Sequence, residues 1–295
     1  MGTDPPPARL KLLLAFAAIY FLWGSTYLAI RLAIDSVPPF LMAGTRFLVA
    51  GAMLYAAGVW AGEPRPTARQ WRAAVLAAVL LFVCGNGGVS WAQLTVPTGA
   101  AALVVATLPA WLLVLDWGYG GRGRPRVREA AGIGLGLGGV AILSAPGGIP
   151  AVGAAVLVGA SAAWAVGSLV NRYAELPASP VRTAGMEMVA AGVMMVPLGL
   201  ALGEGARFDP NAVTAVSVAA LGYLIAVALV ALPAYNWLLA VTSPAAVGTY
   251  AFVNPVVAVL LGWAVLGEEL VARTGAAAAL VVLGVMLLVW PRRRG

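Results

Sequence analysis

Histidine is absent from this chain of 295 residues. That excludes Ser-His nucleophilic catalysis, HExxH zinc sites, histidine-ligated haem and histidine proton relays. Cysteine is nearly absent: Cys84 stands alone in an apolar run, so no intrachain disulfide forms. Charge is scarce as well. Asp, Glu, Lys and Arg make up 10% of the residues, against roughly 25% in a soluble domain. No GxxxxGKS/T loop occurs, and no GxGxxG follows a plausible strand. The chain therefore carries no visible nucleotide-hydrolysing engine, and neither a cofactor nor a metal site is expected.

What is present is hydrocarbon. Apolar residues make up 62% of the chain, with 36 glycines besides. A water-soluble globule has too little polar side chain to cover this, and disorder needs the opposite composition. The natural solvent is lipid. Apolar runs set off by charge or by Pro and Gly predict ten spans at 11–31, 38–60, 70–92, 97–117, 127–145, 151–171, 180–201, 212–235, 244–266 and 271–290. The runs are long and rich in Ala, Leu and Gly rather than alternating, which excludes a transmembrane barrel. The expected fold is an all-α polytopic membrane protein.

The net charge is +7. In a soluble protein this would suggest nucleic acid; here it reads as the cationic excess of cytoplasmic loops, and no nucleic-acid partner is expected. With both termini cytoplasmic, only Arg31, Arg207 and Arg273 fall outside and Arg46 falls within a span. Every other Lys and Arg, including those of 122–128 and 292–294, lies on the cytoplasmic side. Those two basic segments read as topogenic and as contacts for lipid headgroups. Arg9 and Lys11 precede an apolar stretch as in a signal peptide, but the run continues past Trp23 to Arg31, so cleavage is not expected.

The chain repeats itself. Trp23 and Arg31 are eight apart, as are Trp164 and Arg172; Gly24-Ser25 and Gly167-Ser168 lie beside the two tryptophans. Arg46 follows Arg31 by fifteen, and Glu187 follows Arg172 by fifteen; Gly51 and Gly192 follow the same arginines by twenty. Trp91 precedes Pro109 by eighteen, and Trp237 precedes Pro255 by eighteen; Gly139 and Pro146 match Gly284 and Pro291. The ordered series implies two five-helix units, 1–146 and 147–295. An odd number of spans inserts the second unit upside down, an arrangement that recurs in secondary transporters with a substrate site at the seam. The bland alternative is a duplication that only builds a stable bundle.

The motifs Phe21-Leu22-Trp23-Gly24-Ser25, Gly44-Thr45-Arg46-Phe47-Leu48, Asn254-Pro255-Val256-Val257 and Leu266-Gly267-Glu268-Glu269, with the Gly284 run in span 10, stand in family order. Over nearly its whole length the chain resembles the EamA-type transporters of the drug/metabolite transporter superfamily, and within it the branch exporting aromatic amino acids. The resemblance implies export of small metabolites, often amino acids, through a central cavity. The sequence departs from the pattern twice. Gly121-Arg122 stands where a Gly-Glu often follows the fourth span, and Glu187 stands in span 7 where span 2 has Arg46.

Ionisable residues inside a membrane are functional candidates by default. Arg46 has the geometry to bind a substrate carboxylate bidentately, or else to snorkel to the interface. Glu187 is a candidate to take a coupling proton, or else a structural partner. Asn86, bracketed by glycines, the pair Thr107 and Trp111 around Pro109, and the pair Tyr250 and Asn254 before Pro255 point to spans 3, 4, 8 and 9 as the cavity centre. Trp23, Ser25, Trp91, Trp164 and Ser168 complete the expected substrate site, with Pro109 and Pro255 as helix breaks. Trp60, Trp71, Trp117 and Trp290 read as interfacial anchors. The glycines Gly132 to Gly139 give span 5 a smooth packing face. The expected partners are the lipid bilayer, protons as a coupling ion and a small solute. That solute is an amino acid or metabolite exported across the bacterial inner membrane, or alternatively a flat organic cation. An intramembrane enzyme and a passive assembly subunit are the rivals from other classes.

Overall fold

The computed structural model describes residues 9–118, 127–242 and 244–289. Among these residues the chain is all helical, with no strand. The helices, in chain order, are α1 (Arg9–Ala33), α2 (Pro39–Trp60), α3 (Ala68–Ala92), α4 (Thr98–Val105 and Leu108–Gly118), α5 (Val127–Ser144), α6 (Ala151–Tyr173), α7 (Pro180–Ala201), α8 (Ala215–Val241), α9 (Pro244–Val247 and Tyr250–Leu266) and α10 (Ala272–Val289). Each overlaps one of the ten expected apolar runs. Eight are long and apolar enough to cross a membrane; Val253–Leu266 in α9 and Ala272–Leu287 in α10 are shorter apolar helices. Trp290, the segment 122–126, Pro291 and the arginines 292–294 lie outside the described residues, as does the side chain of Trp117. Trp60 is fully exposed at the end of α2, where an interfacial anchor belongs.

Glycine sets the closest contacts. A Cβ on Gly44, Gly51 or Gly185 would run into the backbone of the facing helix, 2.9 Å from Val196 N, 2.5 Å from Val189 N and 2.6 Å from Tyr55 N respectively. The register falls on one helix as it rises on the other, so α2 and α7 pack antiparallel with their backbones nearly touching. The glycine face of α5 does the same with α10: Gly139 faces Ala277 and Val281, and Gly284 faces Gly132 and Gly136. Gly134 and Gly138 lie off that face, where an added Cβ meets nothing.

The packing partners form an ordered set. Helix α2 packs on α7, α4 on α9 and α5 on α10; α1 packs on α8 and α9, and α6 packs on α3 and α4. Exchanging the first five helices for the last five maps each of these pairs onto itself or onto another pair in the set.

Two helices end on the same device. Gly203 and Gly267 adopt left-handed φ of 77° and 67°, which ends the preceding helix and turns the next residue back. The turned residues are glutamates. Glu204 accepts from Phe40 N (3.1 Å) and Leu41 N (2.9 Å) at the start of α2; Glu268 accepts from Thr98 N (2.7 Å) and Gly99 N (3.3 Å) at the start of α4. Each carboxylate supplies acceptors for helix-start amides that lack them and sits at the positive end of the helix dipole. After α2, Gly62 has φ of 72° and Glu63 turns to a side chain instead, meeting Arg182 Nε at 3.1 Å. Replacing Glu204 with Ala leaves two amides without acceptors and should cost about 1–3 kcal/mol. Thermal unfolding in detergent measures this, and Glu204→Gln, which keeps an acceptor, should lose less.

Candidate substrate cavity

A hollow of about 70 Å³ lies between the helices. Its wall comes from the second half of α1 (Trp23, Thr26, Tyr27, Ile30), Arg46 of α2, Gly85, Asn86 and Val89 of α3, Val105 of α4, Ala160 and Trp164 of α6, and Tyr250 and Asn254 of α9. The expected centre on spans 3, 4, 8 and 9 is corrected by this geometry. Helices α3, α4 and α9 do contribute, but α1, α2 and α6 supply much of the wall and α8 supplies none of it.

Beneath the hollow sits an aromatic cluster. Trp23 meets Trp164 edge to face at 5.6 Å, Tyr250 at 5.2 Å and Tyr235 at 5.0 Å between ring centroids. Such contacts add about 0.5–1.5 kcal/mol each beyond burial. On its far side lies a smaller hollow of about 10 Å³, lined by Leu108, Leu112, Ser168, Tyr235, Leu239 and Tyr250 among others. Tyr250 lines both spaces, so the rings separate them. Ser168 holds Tyr235 in place, its hydroxyl 2.6 Å from the tyrosine hydroxyl and donating to Trp164 O at 2.7 Å.

Local backbone irregularities aim several of these groups. Residues Ala18–Leu22 of α1 and Val79–Asn86 of α3 form π-helical turns, each widening the helix beside the cavity. With its amide nitrogen turned toward α1, Asn254 donates to Ile19 O (3.2 Å) and Tyr20 O (2.7 Å) within the first π turn. Tyr20 Oη lies 2.5 Å from Thr249 Oγ1 at the break in α9. In α4 the helix breaks at Ala106–Thr107, just before Pro109. Pro109 thus stands in a first turn, where its missing N–H costs nothing. The carbonyl that Pro109 leaves without a helical donor is Val105 O, and Ser161 Oγ donates to it at 3.2 Å.

Among the described residues, Arg46 is the only charged side chain on the cavity wall. It is 3% exposed, its Nε and Nη1 have no hydrogen-bond partner, and its guanidinium lies 4.6 Å from the centroid of the Phe47 ring. It does not snorkel. Asn86 Oδ1 on the same wall is an acceptor without a donor. These orphaned groups point to a ligand, because buried polar groups are otherwise paired.

Other expected site residues lie elsewhere. Ser25 turns away from the hollow; its hydroxyl lies 2.6 Å from Tyr223 Oη and bonds to Leu22 O. Trp91 is on the outer surface of α3, 39% exposed. Thr107 is buried at the break in α4, donating to Val104 O at 2.8 Å, and Trp111 packs against the apolar core. Pro255 lies inside the longer piece of α9, just past Asn254. Glu187 is fully buried but absent from the cavity wall; its Oε2 accepts from Asn236 Nδ2 (3.2 Å), and Asn236 Oδ1 accepts from Asn171 Nδ2 (3.1 Å). Its Oε1 has no partner. Thr26, Tyr27, Ile30, Val89 and Tyr235 were not expected. The signal for the first three was available, since Trp23, Thr26, Tyr27 and Ile30 recur at the spacing of one helix face.

Comparison with known proteins agrees with this architecture. A family model described as the EamA-like transporter family matches residues 10–145 and again 151–290. The inner membrane transporter YedA of Escherichia coli K12 is 38% identical over 278 residues, covering 93% of this chain and 89% of YedA. The transporter YvbV of Bacillus subtilis 168 is 24% identical over 293 residues, covering 96% and 92%. A crystal structure whose chain is 24% identical superimposes with a TM-score of 0.67 and covers 95% of this chain, so the two share a fold. A family match that spans both halves of the chain leaves one conclusion: it belongs to the EamA-like transporter family.

Proposed function

We propose that the chain is a secondary transporter of the bacterial inner membrane that exports neutral or aromatic amino acids and related small carboxylate metabolites by alternating access. In this reading ten spans form two inverted five-helix repeats, 1–146 and 147–295, with both termini cytoplasmic. The antiparallel registers of α2 with α7 and α5 with α10, and packing that maps onto itself when the halves exchange, support the inversion. An inverted pair explains access from both faces, because exchanging the conformations of the halves exchanges the open side.

The single observation that carries the substrate reading is Arg46, a buried guanidinium with unpaired donors above an aromatic floor. A guanidinium presents donors in a fork that matches a carboxylate, and the rings of Trp23, Trp164 and Tyr250 offer apolar surface to a flat side chain. The same observation disfavours an exporter of flat organic cations, since the wall carries a positive charge and no acid. Counterflow in proteoliposomes with radiolabelled amino acids tests the reading: neutral and aromatic members should exchange above empty liposomes. Failure across that panel would overturn it.

Glu187 is assigned to energy coupling rather than to substrate contact, being buried off the wall. Glu187→Gln keeps the volume and the Asn236 partner but removes the ionisable group. Export driven by a pH gradient should fall about tenfold or more, while gradient-free counterflow stays within about twofold. Equal loss in both assays would make Glu187 structural.

A further inference from the structure

Resting on the reading above that the hollow takes a carboxylate solute, we infer that the site prefers a flat aromatic carboxylate of net charge −1, an arylalkanoate or aryl 2-oxo acid, over the corresponding zwitterionic amino acid. Among the described residues, the cavity wall offers one charge and it is positive. Arg46 brings two unpaired donors, Nε and Nη1, at 3% exposure. A carboxylate that meets them leaves neither ion unpaired. An α-ammonium entering with that carboxylate finds no counter-charge. The acid nearest in kind, Glu187, is bonded to Asn236 outside the wall.

Neutral acceptors on the wall do not replace it. Asn86 Oδ1 is one acceptor, whereas an ammonium has three donors to satisfy. Asn254 gives its amide nitrogen to the carbonyls of Ile19 and Tyr20 and keeps only Oδ1, a neutral acceptor. Thr26 donates its hydroxyl to Trp23 O at 2.6 Å, which leaves Oγ1 a neutral acceptor with no charge to set against the ammonium. The aromatic rings do not stand in either: Trp23, Trp164 and Tyr250 offer an ammonium a ring quadrupole, not the full counter-charge that Arg46 gives the carboxylate. An ion buried without partners is strongly disfavoured, and the ammonium is the ion left in that position. A net anion also cancels the charge that Arg46 buries, which a zwitterion does not.

The test uses the full chain in proteoliposomes and in detergent, with L-phenylalanine, phenylpyruvate, 3-phenylpropionate and L-phenylalaninamide as probes. Counterflow of each labelled compound is read above the leak into empty liposomes, and the ligand-induced rise in unfolding temperature is read in parallel. Half-saturating concentrations for phenylpyruvate and 3-phenylpropionate should lie about tenfold or more below that for L-phenylalanine, a gap of about 1.4 kcal/mol. The cationic amide should not bind. In Arg46→Gln the two anions should lose that advantage, and in Arg46→Lys they should keep part of it. L-phenylalanine matching or exceeding the anions in the native protein overturns the inference while leaving transport of carboxylates intact. Silence from all three carboxylates in both assays overturns the underlying reading and the inference with it. The native panel decides the matter even if the Arg46 variants fail to fold.

Discussion

Arg46→Gln is expected to weaken carboxylate binding and transport by about a hundredfold or more. Removing one partner of a buried charge pair costs about 2–5 kcal/mol, much of it from the partner left unpaired, and every 1.4 kcal/mol is about tenfold. The side chain is buried on α2, lines the hollow and has no protein partner at Nε or Nη1. Its loss therefore removes a ligand contact and breaks no bond that the protein makes to those two atoms. The variant should fold at normal yield, with an unfolding temperature at or above that of the native chain in the absence of solute, because a buried unpaired cation is itself unfavourable. Loss of transport with retained folding is the signature. A variant that aggregates, with folding rescued by Lys, would mean that the positive charge holds the bundle together instead.

Gly51→Val is expected to have the largest structural effect. A Cβ at Gly51 would stand 2.5 Å from Val189 N and 2.8 Å from the Met188 carbonyl carbon, both backbone atoms that have no rotamer with which to yield. Overpacking of a core commonly costs about 1–3 kcal/mol where side chains can shift; here α2 and α7 must separate along their length, so about 3 kcal/mol is a lower bound. Size-exclusion chromatography of the detergent-solubilised variant should show loss of the monodisperse peak. Gly134→Ala is the matched control. Its Cβ meets nothing within 4 Å, and Ala gains up to about 1 kcal/mol over Gly in a helix interior. A Gly51 variant as stable as the Gly134 variant would contradict the tight contact.

Much of this architecture is legible from composition and spacing alone, because lipid imposes long apolar runs and each of the ten helices α1 to α10 overlaps one. The repeat spacing picked out Trp23 and Trp164, which the fold brings to 5.6 Å from each other, and intramembrane charge picked out Arg46. The misses have physical causes. Helix direction is readable from sequence, but rotation about the axis is not when all faces are apolar, so Ser25 and Trp91 were expected inside and lie outside. The π turns at Ala18–Leu22 and Val79–Asn86 carry no residue code, and each shifts the helical phase of the residues beyond it. The offset of Arg46 from Glu187 shows where repeat symmetry was the wrong guide: the positions correspond in sequence, yet one lines the hollow and the other is sealed among amides.

The carboxylate ties described above have one more property. Glu204 and Glu268 bind main-chain amides at residues 40–41 and 98–99 rather than side chains. A bond to an amide is indifferent to which amino acid carries it, proline excepted. The first half can therefore change nearly any residue at these two helix starts without loosening the second half's grip on it. Duplicated genes that began alike are free to drift apart under such a joint, one copy acquiring a cation in its second helix and the other an acid, while the two halves stay fastened.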